Sequence, residues 1–383
     1  PSLPSSNAMA RAAEYSAAQG GRAFLVQAGG HILYERYDKG WTAEQPHPLA
    51  SGTKSFAGVL AMLAVQDGLL KLDEPVVKFL PEWRDDPRKS KITLRHLLQL
   101  CSGLPGGDRE LSGPTTGTRL LGWAASNRAA RLGLFTNAAA PADRAQAALR
   151  LPLAGEPGTT FAYGPSHFYV FTLVLQRSLE ASDRPERNVL QYLHRRLLEP
   201  IGIPNARIAR DRAGHPDFAG GMLLTAREWA KFGQFVADRG AIRRADGTPQ
   251  PWLRPELLEE CFRPSAPNPV YGLTWWLPSD GVPDAAADTG IETLRQRAIA
   301  RTVSVGPLKD PSGRPLKVWM AAGLGKQRLY VLPDYGWVIV RFGDGSREST
   351  AYSDAEMLRR LLERDREPAA PAGTNVTGKL TAP

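Results

Sequence analysis

A serine and a lysine stand three residues apart in Ser51-Gly52-Thr53-Lys54, where a helix-like segment begins. Apolar residues follow at helical spacing, and Gly68 can end the helix. Residues three apart share a helix face, so the Lys54 amine can reach the Ser51 hydroxyl. A neutral amine can accept the hydroxyl proton and make the serine oxygen a nucleophile. The spacing predicts a serine nucleophile with a lysine partner.

The start of a helix favours this chemistry in two ways. The helix dipole and burial both disfavour a charged Lys54, and the free N–H groups of the first turn can stabilise an oxyanion. The alternative is that Ser51 caps the helix and Lys54 is solvated, as in most isolated S-x-x-K patterns. The long apolar helix that follows and the absence of a second S-x-x-K favour the catalytic interpretation.

Composition describes an ordinary globular protein with room for a large core. The chain has 383 residues, 42% of them hydrophobic and 23% charged, and no apolar run is long enough to span a membrane. The net charge of +9 comes mostly from scattered arginines without a basic block, so we expect no nucleic-acid partner. Neither a phosphate-binding G-x-x-x-x-G-K-[ST] loop nor a G-x-S-x-G elbow occurs.

The residues that bind metals or form disulfides are sparse. Cys101 and Cys261 allow one disulfide at most, and the six histidines have no metal-binding spacing. We therefore expect no metal and no cofactor.

The order of predicted elements indicates an α+β fold. A hairpin at 23–37 precedes the Ser51 helix, and helices dominate 75–220, with predicted helices at 140–150, 167–180 and 187–198. A capping box at Thr225 precedes a further helix, and a strand at 271–277 precedes a meander. Because strands lie near both chain ends, we expect an antiparallel sheet flanked by helices and built from both ends, with an inserted all-α subdomain. The predicted limits are as follows: strands at 317–322, 328–332 and 337–342, a last helix at 351–363, an α/β domain at 1–75 and 220–367, a helical subdomain at 76–219, and a disordered tail at 368–383.

A tyrosine offers a third group for proton transfer. Tyr163 follows the turn at residues 155–158 and precedes a predicted helix, so its hydroxyl can project into a cleft between the two parts of the fold. Taken alone, a tyrosine in this setting is more often a core or surface aromatic.

Five segments in order resemble the penicillin-recognising serine hydrolases. This family includes class C β-lactamases, DD-peptidases, family VIII esterases and 6-aminohexanoate-dimer hydrolases. The resemblance covers most of residues 20–345 and rests on the following segments: S-x-x-K at 51–54, G-x-L-x-L-D-x-P at 68–75, I-T-x-x-x-L-L with S-G-L-P at 92–105, P-G-x-x-F-x-Y at 157–163, and residues 220–226, which look like the family's G-G-x-x-S/T-x-x-D segment.

The resemblance implies a β-lactamase-like fold with the site between an α/β sandwich and a helical subdomain. It also implies that Ser51 is acylated and that Lys54 and Tyr163 share the proton transfers, with the division between these two left open. Many family members are periplasmic or secreted, which is the expected location here, although a cytoplasmic location stays open.

The sequence departs from the family at two motifs. The family's Y-x-N reads Tyr-Gly-Pro here, so Pro165 replaces the asparagine and Ser166 is the adjacent polar residue. The K-T-G or H-x-G strand reads Ala-Ala-Gly, ending at Gly323, and lacks the cation. We expect Gly323 to allow close backbone approach and the N–H of Leu324 to complete the oxyanion hole with Ser51.

The missing cation bears on the substrate. Without it, β-lactam or D-Ala-D-Ala carboxylates lose a charged contact, unless Lys326 or Arg328 replaces it. We therefore expect an esterase or amidase acting on small acyl substrates. The strand at 271–277, with Trp275, is a candidate wall of an acyl pocket, with core packing as the alternative. A β-lactamase or carboxypeptidase, or a non-catalytic binding protein on the same fold, is the alternative function, and the oligomeric state stays open.

Overall fold

The computed structural model describes residues 3–106, 141–244, 246–279, 303, 305–306, 308–346, 349 and 351–363. The tail predicted to be disordered at 368–383 lies outside these residues, as does residue 140, the first of the helix predicted at 140–150.

The strands of the described residues are these: β1 (Gly21–Ala28), β2 (His31–Tyr37), β3 (His47–Pro48), β4 (Arg207–Ile208), β5 (Met222–Leu224), β6 (Ala241–Arg243), β7 (Pro249–Pro251), β8 (Trp319–Gly323), β9 (Gln327–Leu332) and β10 (Trp337–Gly343). The helices with described bounds are these: α1 (Ser6–Ala18), α2 (Lys54–Gln66), α3 (Leu94–Leu98), α4 (Arg144–Leu149), α5 (Ser166–Glu180), α6 (Val189–Leu193), α7 (Ala226–Ala237), α8 (Pro255–Glu260) and α9 (Asp354–Leu362). Short 3₁₀ turns at Ala50–Thr53, Val76–Lys78, Pro81–Trp83 and Lys89–Lys91 join some of them.

A five-stranded antiparallel sheet joins the two ends of the chain, in the order β2-β1-β10-β9-β8. The pairing of β1 with β10 connects the strands from the two chain ends, with Leu25 opposite Val340. This confirms the predicted antiparallel sheet built from both ends. Two small sheets, β3-β5-β4 and β6-β7, lie outside it. The limits proposed for the two domains stay a prediction.

Alternate residues of the sheet face different helices, as the strand period of two requires. On β10, Arg341 donates to the Ser16 hydroxyl of α1, at 3.2 Å. The alternate residues of β10 face α7 instead. A Cβ added at Gly233 of α7 would lie 2.5 Å from Val338. The helix α2 packs on α7 through Phe56 and Phe232, whose rings stack with centroids 3.7 Å apart.

The helix α2 is a core helix. Its residues from Lys54 to Ala64 are all buried, which fits a helix that is apolar on nearly every side. The interior therefore surrounds the segment that carries Lys54.

Two predicted elements differ from the structure. The strand predicted at 271–277 is a tight fold-back, in which Tyr271 bridges Trp276 and Trp276 bridges Met320 on β8. Thr274 has φ +66° at the bend, a conformation that a continuous strand cannot contain. The helix predicted at 187–198 is α6 followed by a wider π-helical turn, His194–Leu198.

Within the ranges that the structure describes, no helix combines the length and apolar character that crossing a bilayer requires.

Substituting Gly58 in α2 tests the packing of this helix. Alanine in place of glycine normally favours a helix by about 1 kcal/mol. A Cβ at Gly58, however, would lie 2.4 Å from Thr274 Oγ1 and 2.5 Å from the Leu273 carbonyl oxygen. We expect Gly58→Ala to lower the free energy of unfolding by about 1–3 kcal/mol in urea titrations, because the site is overpacked.

The matched control is Gly155→Ala, where the nearest atom to an added Cβ is 3.9 Å away. A Gly58→Ala protein as stable as the wild type would contradict the close packing of α2 on the fold-back.

Candidate active site

Ser51 lies in the 3₁₀ turn Ala50–Thr53, immediately before α2. The turn begins with Ala50 at φ +48°, a left-handed conformation that is uncommon outside glycine. The N–H of the preceding residue, Leu49, donates to the Met222 carbonyl on β5 at 2.9 Å. The Thr53 hydroxyl accepts the N–H of Met222 at 3.0 Å and secures the other end of the turn. The positive φ had no signal in the sequence.

Lys54 lies beside Ser51, as the spacing predicted. Its Nζ is 3.1 Å from Ser51 Oγ and donates to the Ala219 carbonyl at 2.5 Å. The side chain is buried, and burial lowers the pKa of Lys54 to about 8, although the charge of Asp217 opposes the change. About a tenth of this amine is therefore neutral at pH 7, far more than for an exposed lysine.

Tyr163 completes the group that the sequence predicted. Its hydroxyl hydrogen-bonds with Ser51, and its ring centroid is 5.0 Å from Lys54 Nζ. Burial raises the pKa of Tyr163 to about 12, against the opposing effects of the Ser51 hydrogen bond and the Arg328 charge. The phenol is thus protonated at neutral pH, and the structure brings the serine, lysine and tyrosine side chains together.

A buried histidine that the sequence analysis missed holds the tyrosine loop. His167 lies on α5, and its Nε2 and Nδ1 are 2.8 Å and 2.9 Å from the Ala162 carbonyl and the Ser102 hydroxyl. Burial lowers the pKa of His167 to about 4, so the ring is neutral. The carbonyl can only accept, so we assign the proton to Nε2 and the Ser102 hydroxyl as donor to Nδ1. This links the S-G-L-P loop to the loop of Tyr163.

The residues after Tyr163 pack against the same S-G-L-P loop. A Cβ at Gly164 would lie 1.4 Å from the Gly106 carbonyl oxygen, so only glycine fits this approach. Pro165 immediately precedes α5, and the Ser166 hydroxyl donates to the Pro105 carbonyl at 2.8 Å. Because that contact uses the only proton of the hydroxyl, Ser166 has a structural partner. The substrate-binding role expected of Pro165 and Ser166 stays a prediction.

The end of β8 meets the turn of Ser51. A Cβ at Gly323 would lie 2.0 Å from the Leu49 carbonyl oxygen, which explains why the strand ends in glycine. Leu324 follows in the turn and is 49% exposed. Within the described residues, the N–H groups of Ser51 and Leu324 do not donate a hydrogen bond to any carbonyl in a turn or loop. These are the two donors that the sequence predicted for an oxyanion.

The two cations considered as replacements for the missing one both contact Asp354. Arg328 Nε donates to Asp354 at 2.7 Å, and Lys326 Nζ is 3.4 Å from the same carboxylate. Arg328 is 3% exposed and also donates to the Gly323 carbonyl at 3.1 Å. Two contacts with one buried carboxylate direct both charges to the interior rather than to a substrate carboxylate.

Trp276, rather than Trp275, lies beside the Tyr163 ring, and the pocket role expected of Trp275 stays a prediction. Trp275 is fully buried and packs on Phe232 of α7, with ring centroids 5.9 Å apart. The Trp276 ring lies 5.7 Å from the ring of Tyr163. The two indoles point in different directions, and the strand prediction could not determine which of them faces Tyr163.

Cys101 and Cys261 both carry buried free thiols, so the disulfide left open by the sequence is absent from the described residues.

Comparison with known proteins agrees with this geometry. A family model described as Beta-lactamase matches residues 8–362. The chain is 26% identical over 265 residues to 6-aminohexanoate-dimer hydrolase of Paenarthrobacter ureafaciens, an alignment that covers 66% of this chain and 63% of that relative. The chain thus spans less than two thirds of that relative's length.

Solved structures share the fold. One is a Bacillus anthracis protein assigned as a 6-aminohexanoate-dimer hydrolase, with a TM-score of 0.62, 18% identity, and coverage of 91% of this chain and 81% of that one. Another is a D-stereospecific amidohydrolase of Streptomyces, with a TM-score of 0.56, 17% identity, and coverage of 91% and 98%. At these identities the likeness concerns the fold.

The pKa of Lys54 predicts a pH dependence for labelling of Ser51. Only the neutral amine can accept the serine proton, so the reactive form increases as pH rises through about 8. We expect the rate constant of fluorophosphonate labelling at Ser51 to rise with that midpoint and then level off. Lys54→Met should label slowly at every pH. A wild-type rate that is constant from about pH 6 to about pH 10 would contradict the assignment of Lys54 as base.

Replacing the buried Tyr271 is expected to stabilise the protein, which is unusual for a core side chain. Its hydroxyl is buried next to Tyr163 and has no hydrogen-bond partner among the described residues. A buried unsatisfied hydroxyl costs about 1–3 kcal/mol. We expect Tyr271→Phe to raise the free energy of unfolding by about 1 kcal/mol.

The control is Tyr330→Phe, which removes a buried hydroxyl that donates to Asp354 at 2.5 Å and should lower stability. Equal losses of stability in the two variants would show that the Tyr271 hydroxyl is satisfied.

Proposed function

The chain belongs to the Beta-lactamase family, and from that premise we propose that it is a serine hydrolase that cleaves small acyl esters or amides through an acyl-enzyme on Ser51. The observation that carries the proposal is the contact of the buried Lys54 amine with the Ser51 hydroxyl, at 3.1 Å. An amine with a pKa of about 8 is a competent base at neutral pH.

The pKa values separate the roles of the two proton-transfer groups. Tyr163, at about 12, holds its proton at neutral pH, whereas Lys54, at about 8, is partly free to accept one. Lys54 therefore takes the proton as Ser51 Oγ attacks the acyl carbonyl. Tyr163, hydrogen-bonded to Ser51, passes a proton to the departing alcohol or amine and recovers one from Lys54. Placing acid and base on separate groups fits their different environments.

The oxyanion accepts hydrogen bonds from the N–H groups of Ser51 and Leu324. The bond from the carbonyl carbon to the leaving group then breaks and leaves the acyl group on Ser51. A water molecule attacks that ester and gives a proton to the neutral Lys54. The bond from the acyl carbon to Ser51 Oγ then breaks, and Lys54 returns the proton to that oxygen. The sum of the two steps is substrate plus water to a carboxylic acid plus an alcohol or amine, with the enzyme unchanged.

The surroundings favour an uncharged acyl group. Lys326 and Arg328 both contact Asp354, which leaves neither positioned as the partner of a substrate carboxylate. Aromatic rings surround Tyr163 instead, with Trp276 at 5.7 Å and Phe161 at 6.3 Å between centroids. A β-lactam or D-Ala-D-Ala substrate would lose a charge-assisted contact of roughly 1.5–3 kcal/mol.

Hydrolysis of p-nitrophenyl butyrate tests the nucleophile. We expect Ser51→Ala to lower kcat/KM by roughly 10⁴-fold, because the variant lacks the hydroxyl that forms the acyl-enzyme. Ser55→Ala is the matched control, since Ser55 lies four residues further along, in α2, and its hydroxyl donates to the Gly52 carbonyl at 2.8 Å. It should retain activity per folded molecule.

Nitrocefin, assayed in parallel, tests the substrate class. We expect slower turnover of nitrocefin than of the ester. Faster turnover of nitrocefin would overturn the esterase or amidase assignment in favour of β-lactam cleavage, and ester turnover that persists in Ser51→Ala would overturn the nucleophile.

A further inference from the structure

The turn between β8 and β9 carries the proposed Leu324 donor and is held from inside by buried side chains. These side chains hydrogen-bond to backbone carbonyls of the turn. The contacts are Arg328 Nη1 to the carbonyls of Gly323 (3.1 Å) and Gln327 (3.0 Å), Gln327 Nε2 (3.3 Å) and Ser349 Oγ (2.9 Å) to that of Gly325, and Arg341 Nη1 to that of Lys326 (2.8 Å). Four buried side chains therefore fix the backbone of this turn.

Arg328 is itself fixed in place. Its Nε and Nη2 lie 2.7 Å and 3.4 Å from the two oxygens of Asp354, the first residue of α9. The Tyr330 hydroxyl donates to the same carboxylate at 2.5 Å. The guanidinium is 3% exposed, so it holds a single orientation against the end of β8.

The contact with Gly323 matters because of the planarity of the peptide bond. The carbonyl of Gly323 and the N–H of Leu324 belong to one planar trans unit, and they point in opposite directions. A donor bound to the oxygen therefore fixes the direction of the N–H at the other side of the unit. A positive charge at that oxygen also polarises the unit and strengthens the N–H as a donor.

We propose that Arg328 is a positioning residue for catalysis: it holds and polarises the Gly323–Leu324 peptide unit so that its N–H points at the oxyanion formed on the acyl carbonyl. The proposal rests on the proposed serine hydrolase function. A donor preorganised in this way stabilises the transition state without rearranging during the reaction.

The field of Arg328 also reaches the reacting groups. Its charge opposes the rise in the pKa of Tyr163 that burial causes. The pair with Asp354 uses Nε and Nη2 of Arg328, and Nη1 donates to the Gly323 carbonyl. One guanidinium thus binds the buried carboxylate and the carbonyl of the proposed oxyanion unit at the same time.

The test compares wild type with Arg328→Lys, which keeps a positive charge beside Asp354 but cannot bind that carboxylate and Gly323 in the same geometry. Two quantities are measured: kcat and KM for p-nitrophenyl butyrate per Ser51 site titrated with a fluorophosphonate, and Ki for 1,1,1-trifluoro-2-pentanone. Addition of Ser51 Oγ to this ketone forms a hemiketal oxyanion, so its Ki reports the oxyanion donors directly. We expect kcat to fall and Ki to rise by about tenfold to hundredfold, with little change in KM, because misaligning one oxyanion donor loses part of its contribution.

The matched control is Arg196→Lys. Arg196 donates to both oxygens of Asp67 at 2.8 Å, at the far end of α2 from Ser51. This variant should lose similar thermal stability with kcat and Ki unchanged. If Arg328→Lys fails to fold, Arg328→Gln combined with Asp354→Asn removes both charges together, and the same changes are expected.

Wild-type kcat and Ki in a folded Arg328 variant would overturn the positioning role, while the proposed function would stand. Failure of the wild type itself to be labelled at Ser51 by the fluorophosphonate would overturn the proposed function, and this proposal with it. The two failures are distinct because one occurs in the variant only and the other in the wild type.

Discussion

The burial of the Lys54 amine beside Ser51 is the constraint on which the rest of the structure depends. Lowering the pKa of that lysine from 10.5 to about 8 corresponds to roughly 3 kcal/mol of folding free energy at neutral pH. The folded state binds the proton less tightly than the unfolded state, so this cost is present below pH 8 and is relieved as pH rises toward 10.5. In the proposed mechanism, the same change in pKa gives Ser51 a base that is partly neutral at physiological pH.

The surrounding elements maintain that burial. The helix α2 is enclosed along most of its length, and the Ala219 carbonyl gives the amine a fixed partner at 2.5 Å. Asp217 limits the decrease in the pKa of Lys54. It also accepts the N–H of Ala219 at 2.9 Å, so one carboxylate orients the partner and moderates the charge. This carboxylate also pairs with Arg144 at 3.1 Å, which holds it in place.

Three separate parts of the chain meet at the serine, and each junction permits no added side-chain volume. The strand β8 approaches the Leu49 carbonyl at Gly323, and the tyrosine loop approaches the Gly106 carbonyl at Gly164. Neutral His167 joins the tyrosine loop to the S-G-L-P loop. Close backbone contacts of this kind restrict relative movement, which an acyl-transfer site needs because its donors must be aligned before reaction.

The sequence by itself determined the features that depend on residues close together in the chain. The spacing of Ser51 and Lys54, the strand periods at both chain ends and the capping box at Thr225 depend on residues a few positions apart, and the structure has each of them. Only the tertiary structure decided which tryptophan lies beside Tyr163 and where Arg328 and Lys326 are directed. These outcomes depend on the fold-back at Thr274 and on the docking of α9 against β9, contacts between residues far apart in the chain. Local pattern carries no information about such contacts, because the register and packing that create them are properties of the whole fold.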